Sequence, residues 1–266
     1  MIPDKKVLWA INIYSRVNHL RVQEELIRRE YGDSVTINVY TGNELFDKFP
    51  DQNFKYKEDA FFRIPDDPAV HGTAGGHGGS HNGDRDHYNR LLSLNHIEGY
   101  DYVIWTAADT IFTDYSSVRK MLFEMQAVGA DFMSCVADSG MGRRSHGPRV
   151  HNEFFVVSVP FYRKMCPITP GFEGYAANGD VNECMERGLG DAVRAANGKW
   201  HVVPGRRVDV DGEGRMDIEG YGHILVDNRF VNTRKMMERF CPEAWDHVQK
   251  TALKDGLLHD VRPNYC

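Results

Sequence analysis

A single carboxylate follows a short apolar run in the middle of the chain. Residues Asp101 to Asp114 read DYVIWTAADTIFTD, in which two small residues, Ala107 and Ala108, come directly before Asp109. A continuous apolar block of this kind is typical of a strand buried on both faces. Ligands of open α/β sheets bind where such strands end. Asp109 is therefore a candidate ligand for a metal ion or a polar group, with a purely local role in a turn as the alternative.

Composition limits the class of protein. The 266 residues are 41% hydrophobic and 26% charged, with a formal net charge of −6, which predicts a globular protein and argues against long nucleic acid as a partner. No apolar run approaches the roughly 18 residues of a membrane span. Five widely spaced cysteines without a C-x-x-C pair, and a start without a signal-peptide pattern, favour a reducing compartment, the cytoplasm.

Apolar periodicity predicts alternating strands and helices. A strand over residues 7–14, a helix over 19–31 and a strand over 35–40 form the beginning of a parallel sheet with a right-handed crossover. Further strands are predicted at 102–105, 111–112, 131–136, 153–159, 199–203 and 207–210, and helices at 87–96, 115–128, 161–165 and from about 178. We expect one α/β domain over residues 1–266, with a Rossmann-like mixed, mainly parallel sheet flanked by helices and a helical tail from about 232.

Polar residues follow the first two predicted strands. Asn12, Arg16 and Thr41 stand at these strand ends, where they would line a crevice that can take a nucleotide base. Ordinary polar loop residues are the alternative interpretation of each one taken singly.

Two stretches have unusual composition. Residues 71–87, HGTAGGHGGSHNGDRDH, are too rich in glycine for a helix or strand and carry four histidines. A metal-binding tract, a loop that closes over phosphates or a sugar, and a plain surface loop all stay open. Residues 138–152 are locally basic through Arg143, Arg144, His146 and Arg149, which suits an anionic ligand or simply a solvated loop.

Several short motifs follow one another in a recognisable order. A Tyr-x-Arg-Leu segment around Arg90 precedes the Asp109 strand, and an Asn-containing segment at Asn152 opens a later strand. A Gly-Asp pair at Asp180 then opens a helix, and a Gly-His pair at His223 comes late. In this order the chain resembles the GT-A glycosyltransferases, most closely the branch that contains glycogenin and the bacterial galactosyltransferases. The resemblance extends from about residue 5 to residue 230.

The resemblance implies a GT-A-type sheet and a role for each matching residue. Mn²⁺ or Mg²⁺ would be bound by Asp109 and His223 and would hold the diphosphate of the donor. Asp180 is the first candidate to face the donor sugar, with Glu183 and Glu153 as further catalytic candidates; in an inverting enzyme Asp180 or Glu153 would be the base. The predicted donor-binding residues are Asn12, Arg16, Thr41, Arg85, Asp86, Arg90, Ala108, Asp109 and Asn152.

The chain also departs from the family pattern. Ala107 replaces the first Asp of the Asp-x-Asp motif, and Val181 replaces the Gln of Gly-Asp-Gln. One carboxylate, a histidine, the donor phosphates and waters still make an octahedral set for Mn²⁺ or Mg²⁺. In a metal-independent alternative, arginines would neutralise the diphosphate; the candidates are Arg143, Arg144, Arg149, Arg206 and Arg207.

The sequence thus predicts transfer of a sugar from a nucleotide-diphosphate sugar to the hydroxyl of a glycan, a protein or another acceptor. The resemblance implies a UDP-sugar donor, whereas the residues themselves leave the base, the sugar, the acceptor and the stereochemistry open. One alternative is a nucleotidyltransferase, although residues 12–16 lack its glycine-rich, Lys- or Arg-containing signature. The other is a catalytically inactive nucleotide- or sugar-binding module, which the missing first Asp favours.

Overall fold

An apolar strand, a helix and a second apolar strand begin the fold: β1 (Val7–Ile13), α1 (Val17–Tyr31), a 3₁₀ turn at Gly32–Ser34 and β2 (Thr36–Thr41). The computed structural model describes residues 4–13, 17–41, 61–63, 96–136, 154–166, 189–210, 213–218, 222–226 and 230–253. The later elements are β3 (Phe61–Arg63), β4 (Tyr102–Ala107), β5 (Thr110–Phe112), α2 (Ser116–Ala127), β6 (Phe132–Val136), β7 (Phe154–Ser158), α3 (Val159–Met165), β8 (Trp200–Val210), β9 (Glu213–Ile218), β10 (Gly222–Val226), α4 (Phe230–Phe240) and α5 (Pro242–Thr251). A further helical segment covers residues 189–195.

The described strands form one sheet in the order β3-β2-β1-β4-β7-β6-β8-β9-β10-β5. From β3 to β4 all neighbours are parallel, β7 is antiparallel to both β4 and β6, and β6 is parallel to β8. Beyond β8 the sheet continues through antiparallel neighbours to β5. The predicted α/β fold, with a mixed sheet that is mainly parallel from β3 to β8 and is flanked by helices, is confirmed.

The strand order reverses beside β1. The chain passes from β1 to β2 and β3 on one side and returns to β4 on the other, so that Asn12 pairs with both Tyr40 and Ala107. Because β1, β2 and β4 are parallel, their carboxyl ends meet at one edge, which we call the carboxyl edge. Such a reversal creates a crevice between the neighbouring strand ends.

Alternate residues of the central strands face two hydrophobic layers. Trp9 and Ile104 face the layer covered by α1, α2, α4 and α5, which we call the first face. Leu8 and Trp105 face the layer covered by α3 and the 189–195 segment, the second face. Strands buried on both sides carry continuous apolar runs, which is why the central strands were identifiable from sequence.

The structure differs from the sequence prediction at residues 199–226. The two strands predicted at 199–203 and 207–210 are one strand, β8, which continues through Pro204 and Gly205. Two further strands, β9 and β10, lie where the glycine-containing sequence predicted no regular structure. Ladder partners explain the difference, because β6 pairs with the first half of β8 and β9 with the second half, and tertiary pairing overrides weak local propensity.

Residues 230–240 and 242–251 are helical, and Pro242 at the start of α5 separates that helix from α4. Most of the predicted helix at 87–96 and the predicted helix from about 178 lie outside the described residues. Within the described part of the chain, no helix combines the length and the apolar character needed to cross a bilayer.

We expect Phe155→Ala to lower the free energy of unfolding by about 3–5 kcal/mol. Phe155 is fully buried, with its ring centroid 6.1 Å from that of Trp105 and 5.2 Å from that of Phe132. Urea denaturation followed by circular dichroism measures the change. Phe123→Ala on α2 is the matched control, because that side chain is 45% exposed, and its effect should stay within about 0.5 kcal/mol. Equal losses in the two variants would contradict the assignment of the core.

Candidate functional site

A short turn at the carboxyl edge connects β4 to β5 and carries the candidate carboxylate. We call residues Ala107 to Thr110 the Asp109 turn. The backbone N–H of Ala108 donates a hydrogen bond of 2.8 Å to the carbonyl of Asn12 at the end of β1. The side chain of Ala108 is buried, whereas Asp109 is only half-buried. The turn is thus fastened to β1 and leaves its carboxylate partly accessible.

A buried glutamine of α1 holds both ends of this turn. Gln23 Nε2 donates to the carbonyl of Ala107 at 2.9 Å and to the carbonyl of Thr110 at 2.5 Å. On its other side, Gln23 Oε1 accepts from the Thr106 hydroxyl at 2.9 Å, and that hydroxyl accepts from Trp9 Nε1 at 3.0 Å. The side chains of Trp9, Gln23, Thr106 and Thr110 are fully buried.

The chemistry of these groups fixes the direction of each hydrogen bond. An indole N–H can only donate, so the Thr106 hydroxyl accepts from Trp9. The carbonyl oxygens of Ala107 and Thr110 only accept, so the Gln23 atom that faces them is the donor Nε2, and its Oε1 faces Thr106. That oxygen also only accepts, so the Thr106 hydroxyl donates its own hydrogen to Gln23. A fully satisfied buried network of this kind rigidifies its surroundings.

A second buried polar contact lies one helical turn earlier on α1. His19 Nε2 and the Thr233 hydroxyl are 2.9 Å apart, and both side chains are fully buried. Asn18 beside them is also buried. This contact joins the beginning of α1, which follows the carboxyl edge, to α4 near the C-terminus.

Aromatic and polar groups also meet on the second face, beside β2. Tyr40, the partner of Asn12 in the β1–β2 ladder, has its hydroxyl 3.0 Å from His96 Nδ1 and accepts a hydrogen bond of 3.2 Å from Asn38 Nδ2. Burial raises the pKa of Tyr40 and lowers the pKa of His96. Both effects favour the neutral forms, so this contact carries little charge near neutral pH.

Several predicted site residues meet at the carboxyl edge. Asn12 and Ala108 are joined by the backbone hydrogen bond described above, and Asp109 follows Ala108 in the same turn. Thr41 ends β2 opposite Ile13, so its backbone lies at the same edge. Their roles in donor binding stay predictions.

The second predicted metal ligand is further away along the sheet. β10 is antiparallel to β5, with Val226 opposite Thr110 and Ile224 opposite Phe112. The backbone of His223 is therefore displaced from that of Asp109 by four positions, roughly 13 Å along the strand at about 3.3 Å per residue. The side chain of His223 lies outside the described residues, and its role as a metal ligand stays a prediction.

Most of the other predicted site residues lie outside the described residues, as do the 71–87 and 138–152 loops. These residues are Arg16, Arg85, Asp86, Arg90, Asn152, Glu153, Asp180 and Glu183. Phe154, the first residue of β7, pairs with Thr106, so the described chain resumes after Glu153 directly beside the Asp109 turn.

No three His, Cys, Asp or Glu side chains gather into a metal site among the residues that the structure describes. Asp109 offers one half-buried carboxylate. A single carboxylate fits Mg²⁺ or Mn²⁺, which keep several waters and take phosphate oxygens from a substrate. It does not fit a cage built wholly from protein ligands.

Gln23 is the site residue that the sequence analysis missed. Its helix was predicted, but the residue was not singled out. The signal was its position, three residues after Leu20 and four before Ile27, both of which are buried on the same side of α1. A polar side chain within an apolar stripe needs a buried partner, and here the partner is the Asp109 turn.

Comparisons with known proteins find solved structures of low similarity, of which three are described below. No family model matches the chain, and no curated protein matches its sequence. An active-site mutant of LgtC has a TM-score of 0.45 and 11% identity, covering 74% of this chain and 72% of that chain. Galactosyltransferase LgtC in complex with donor and acceptor sugar analogues has a TM-score of 0.45 and 11% identity, covering 74% and 73%. The protein A197 from STIV has a TM-score of 0.41 and 9% identity, covering 84% and 95%. Similarities this low do not assign the chain to a family. The interpretation of the site therefore rests on its geometry alone.

We expect Thr106→Val to lower the free energy of unfolding by about 1–3 kcal/mol. Valine has the shape of threonine but leaves the Trp9 indole N–H and Gln23 Oε1 without the hydroxyl that joins them. Chemical denaturation with urea measures the loss. Thr251→Val is the matched control, since that exposed hydroxyl only donates to the carbonyl of His247, and it should change stability by less than about 0.5 kcal/mol. A Thr106→Val protein as stable as the wild type would show that the network contributes nothing.

Proposed function

We propose that the chain is a glycosyltransferase that moves a sugar from a nucleotide-diphosphate sugar to an acceptor hydroxyl. The observation that carries the proposal is the position of Asp109, a half-buried carboxylate in a fixed turn beside the strand reversal at β1 and β4. Nucleotide ligands of open α/β sheets bind in the crevice at such a reversal. The order of motifs around Arg90, Asn152, Asp180 and His223 points to sugar transfer rather than to another nucleotide reaction.

The strand ends supply the groups that would bind the donor. Asn12, Arg16 and Thr41 would line the nucleotide part of the crevice, and Arg85, Asp86, Arg90 and Asn152 would complete it. α1 begins at Val17, directly beyond β1, so the positive end of its dipole lies at the carboxyl edge. A diphosphate beside this helix start would gain favourable electrostatic energy.

The leaving group explains why a carboxylate is needed among these groups. Breaking the bond between the anomeric carbon and the phosphate builds negative charge on the departing diphosphate. Bound Mn²⁺ or Mg²⁺ supplies positive charge to this diphosphate, and Asp109 would hold the ion, with His223 as the second proposed ligand. In the metal-independent variant of the proposal, Arg143, Arg144 and Arg149 or Arg206 and Arg207 neutralise the diphosphate.

The remaining carboxylates are proposed to act on the sugar and the acceptor. Asp180 would face the donor sugar and stabilise the positive charge that develops on its ring. Glu183 and Glu153 are the further candidates. In an inverting reaction Asp180 or Glu153 would take the proton of the acceptor hydroxyl, whereas a retaining reaction needs no strong base there.

Thermal unfolding with a panel of nucleoside diphosphates and nucleotide sugars, with and without Mn²⁺, tests donor binding. A ligand at 100 times its Kd stabilises the native state by about 2.7 kcal/mol, which corresponds to a rise in Tm of roughly 5–10 °C for a chain of this size. We expect Asp109→Asn to remove the part of the rise that depends on Mn²⁺. Asp33→Asn is the matched control, since Asp33 is exposed at the other end of α1 and should leave the shift intact.

Each outcome of this panel bears on the proposal. The absence of a shift with every nucleotide and nucleotide sugar would refute it. A shift that does not depend on Mn²⁺ would support the transferase proposal and assign binding of the diphosphate to the arginines.

A second candidate function is an inactive binding module, which is favoured by Ala107 in the place of the first Asp. Donor binding without release of nucleoside diphosphate across a broad acceptor set would establish that module instead.

A further inference from the structure

The side-chain amide of Gln23 bonds to both ends of the Asp109 turn at once. Its two N–H groups bind the carbonyl of Ala107, where β4 ends, and the carbonyl of Thr110, where β5 begins. We propose that Gln23 is a positioning residue that keeps the Asp109 carboxylate at the strand reversal and thereby sets the affinity of the site for a cation-bound diphosphate. The part of this inference that concerns affinity rests on the proposed function.

The geometry of the Gln23 side-chain amide allows it to hold both ends of the Asp109 turn. Both hydrogens are on one planar nitrogen, so the two carbonyls that accept them are held at a fixed separation. These carbonyls bracket Ala108 and Asp109. The backbone of the turn therefore cannot open or rotate unless at least one of these carbonyls loses its donor.

The Gln23 side chain is itself held in place by further hydrogen bonds. Gln23 Oε1 is bonded to the Thr106 hydroxyl, which is bonded to the Trp9 indole, and all three side chains are fully buried. Rotation of the glutamine would break this chain of hydrogen bonds as well as the two bonds to the turn. β1, α1 and β4 each contribute one group, so the three elements that surround the crevice fix the turn together.

Gln23→Met tests the inference because methionine fills a similar volume and has no donor. The first readout is hydrogen exchange of the Ala108 amide, which is protected by its bond to the Asn12 carbonyl. The second is the affinity for Mn²⁺ with inorganic pyrophosphate, a probe that needs no knowledge of the base or sugar, measured by calorimetry. We expect exchange of Ala108 to be at least about 10-fold faster and the affinity to be at least about 10-fold weaker, which is about 1.4 kcal/mol.

Two control variants separate positioning from general destabilisation. Val193→Ala removes buried volume from the 189–195 segment on the second face and lowers stability without touching the turn. Gln126→Met makes the same change of residue at an exposed position of α2. Both should keep the wild-type affinity and the wild-type exchange rate of Ala108 once the loss of global stability is subtracted.

The two readouts distinguish failure of this inference from failure of the proposed function. If wild-type protein binds the probe and Gln23→Met binds it equally well, the positioning role is refuted and the proposed function stands. If wild-type protein does not bind the probe, the proposed function loses its support, and unchanged exchange of Ala108 would refute positioning on its own. Should Gln23→Met not fold, Gln23→Glu, which keeps the shape and the acceptor oxygen, replaces it; wild-type affinity in that variant would overturn the inference.

Discussion

Two backbone carbonyls, the part-buried one of Ala107 and the buried one of Thr110, lie where one strand ends and the next begins, and both take their donor from the same buried side chain. Gln23 of helix α1 donates to both carbonyls, so the position of the helix and the conformation of the turn depend on each other. The apolar residues around Gln23 bring α1 onto the sheet, and the hydrogen bonds then fix its rotation and its position along the strands. A single polar constraint thus couples the core to the turn that carries the half-buried Asp109.

The sheet concentrates polar groups by excluding them elsewhere. Central strands that are apolar on both faces leave room for polar side chains mainly beyond their ends, and parallel neighbours bring those ends to the same edge. Asn12, Thr41 and Asp109 come from three distant parts of the sequence and reach this edge for that reason alone. The crevice is a consequence of strand order, and its chemistry depends on which residues happen to follow each strand.

Sequence reasoning succeeded where one physical signal dominates. The runs VLWAINI and YVIWTA are typical of buried strands, and the small residues before Asp109 lie at the end of one of them. It failed at β9 and β10, because glycines and charges there give a weak local signal and the strands form only through their partners. It also missed Gln23, whose importance depends on what the helix packs against. That partner is 84 residues away from it in the chain at Ala107 and cannot be inferred from helical periodicity.

The pairing of β5 with β10 has a consequence for how the protein is made. Thr110, the residue after Asp109, finds its ladder partner in Val226, 116 residues later in the chain. Contacts of such long sequence separation form late, because a large loop must close before they contribute. During synthesis on the ribosome, β5 cannot pair with β10 until more than a hundred further residues have emerged. The scaffold of β1, α1 and β2 can assemble early, whereas this side of the crevice acquires its final shape only after Val226 has emerged.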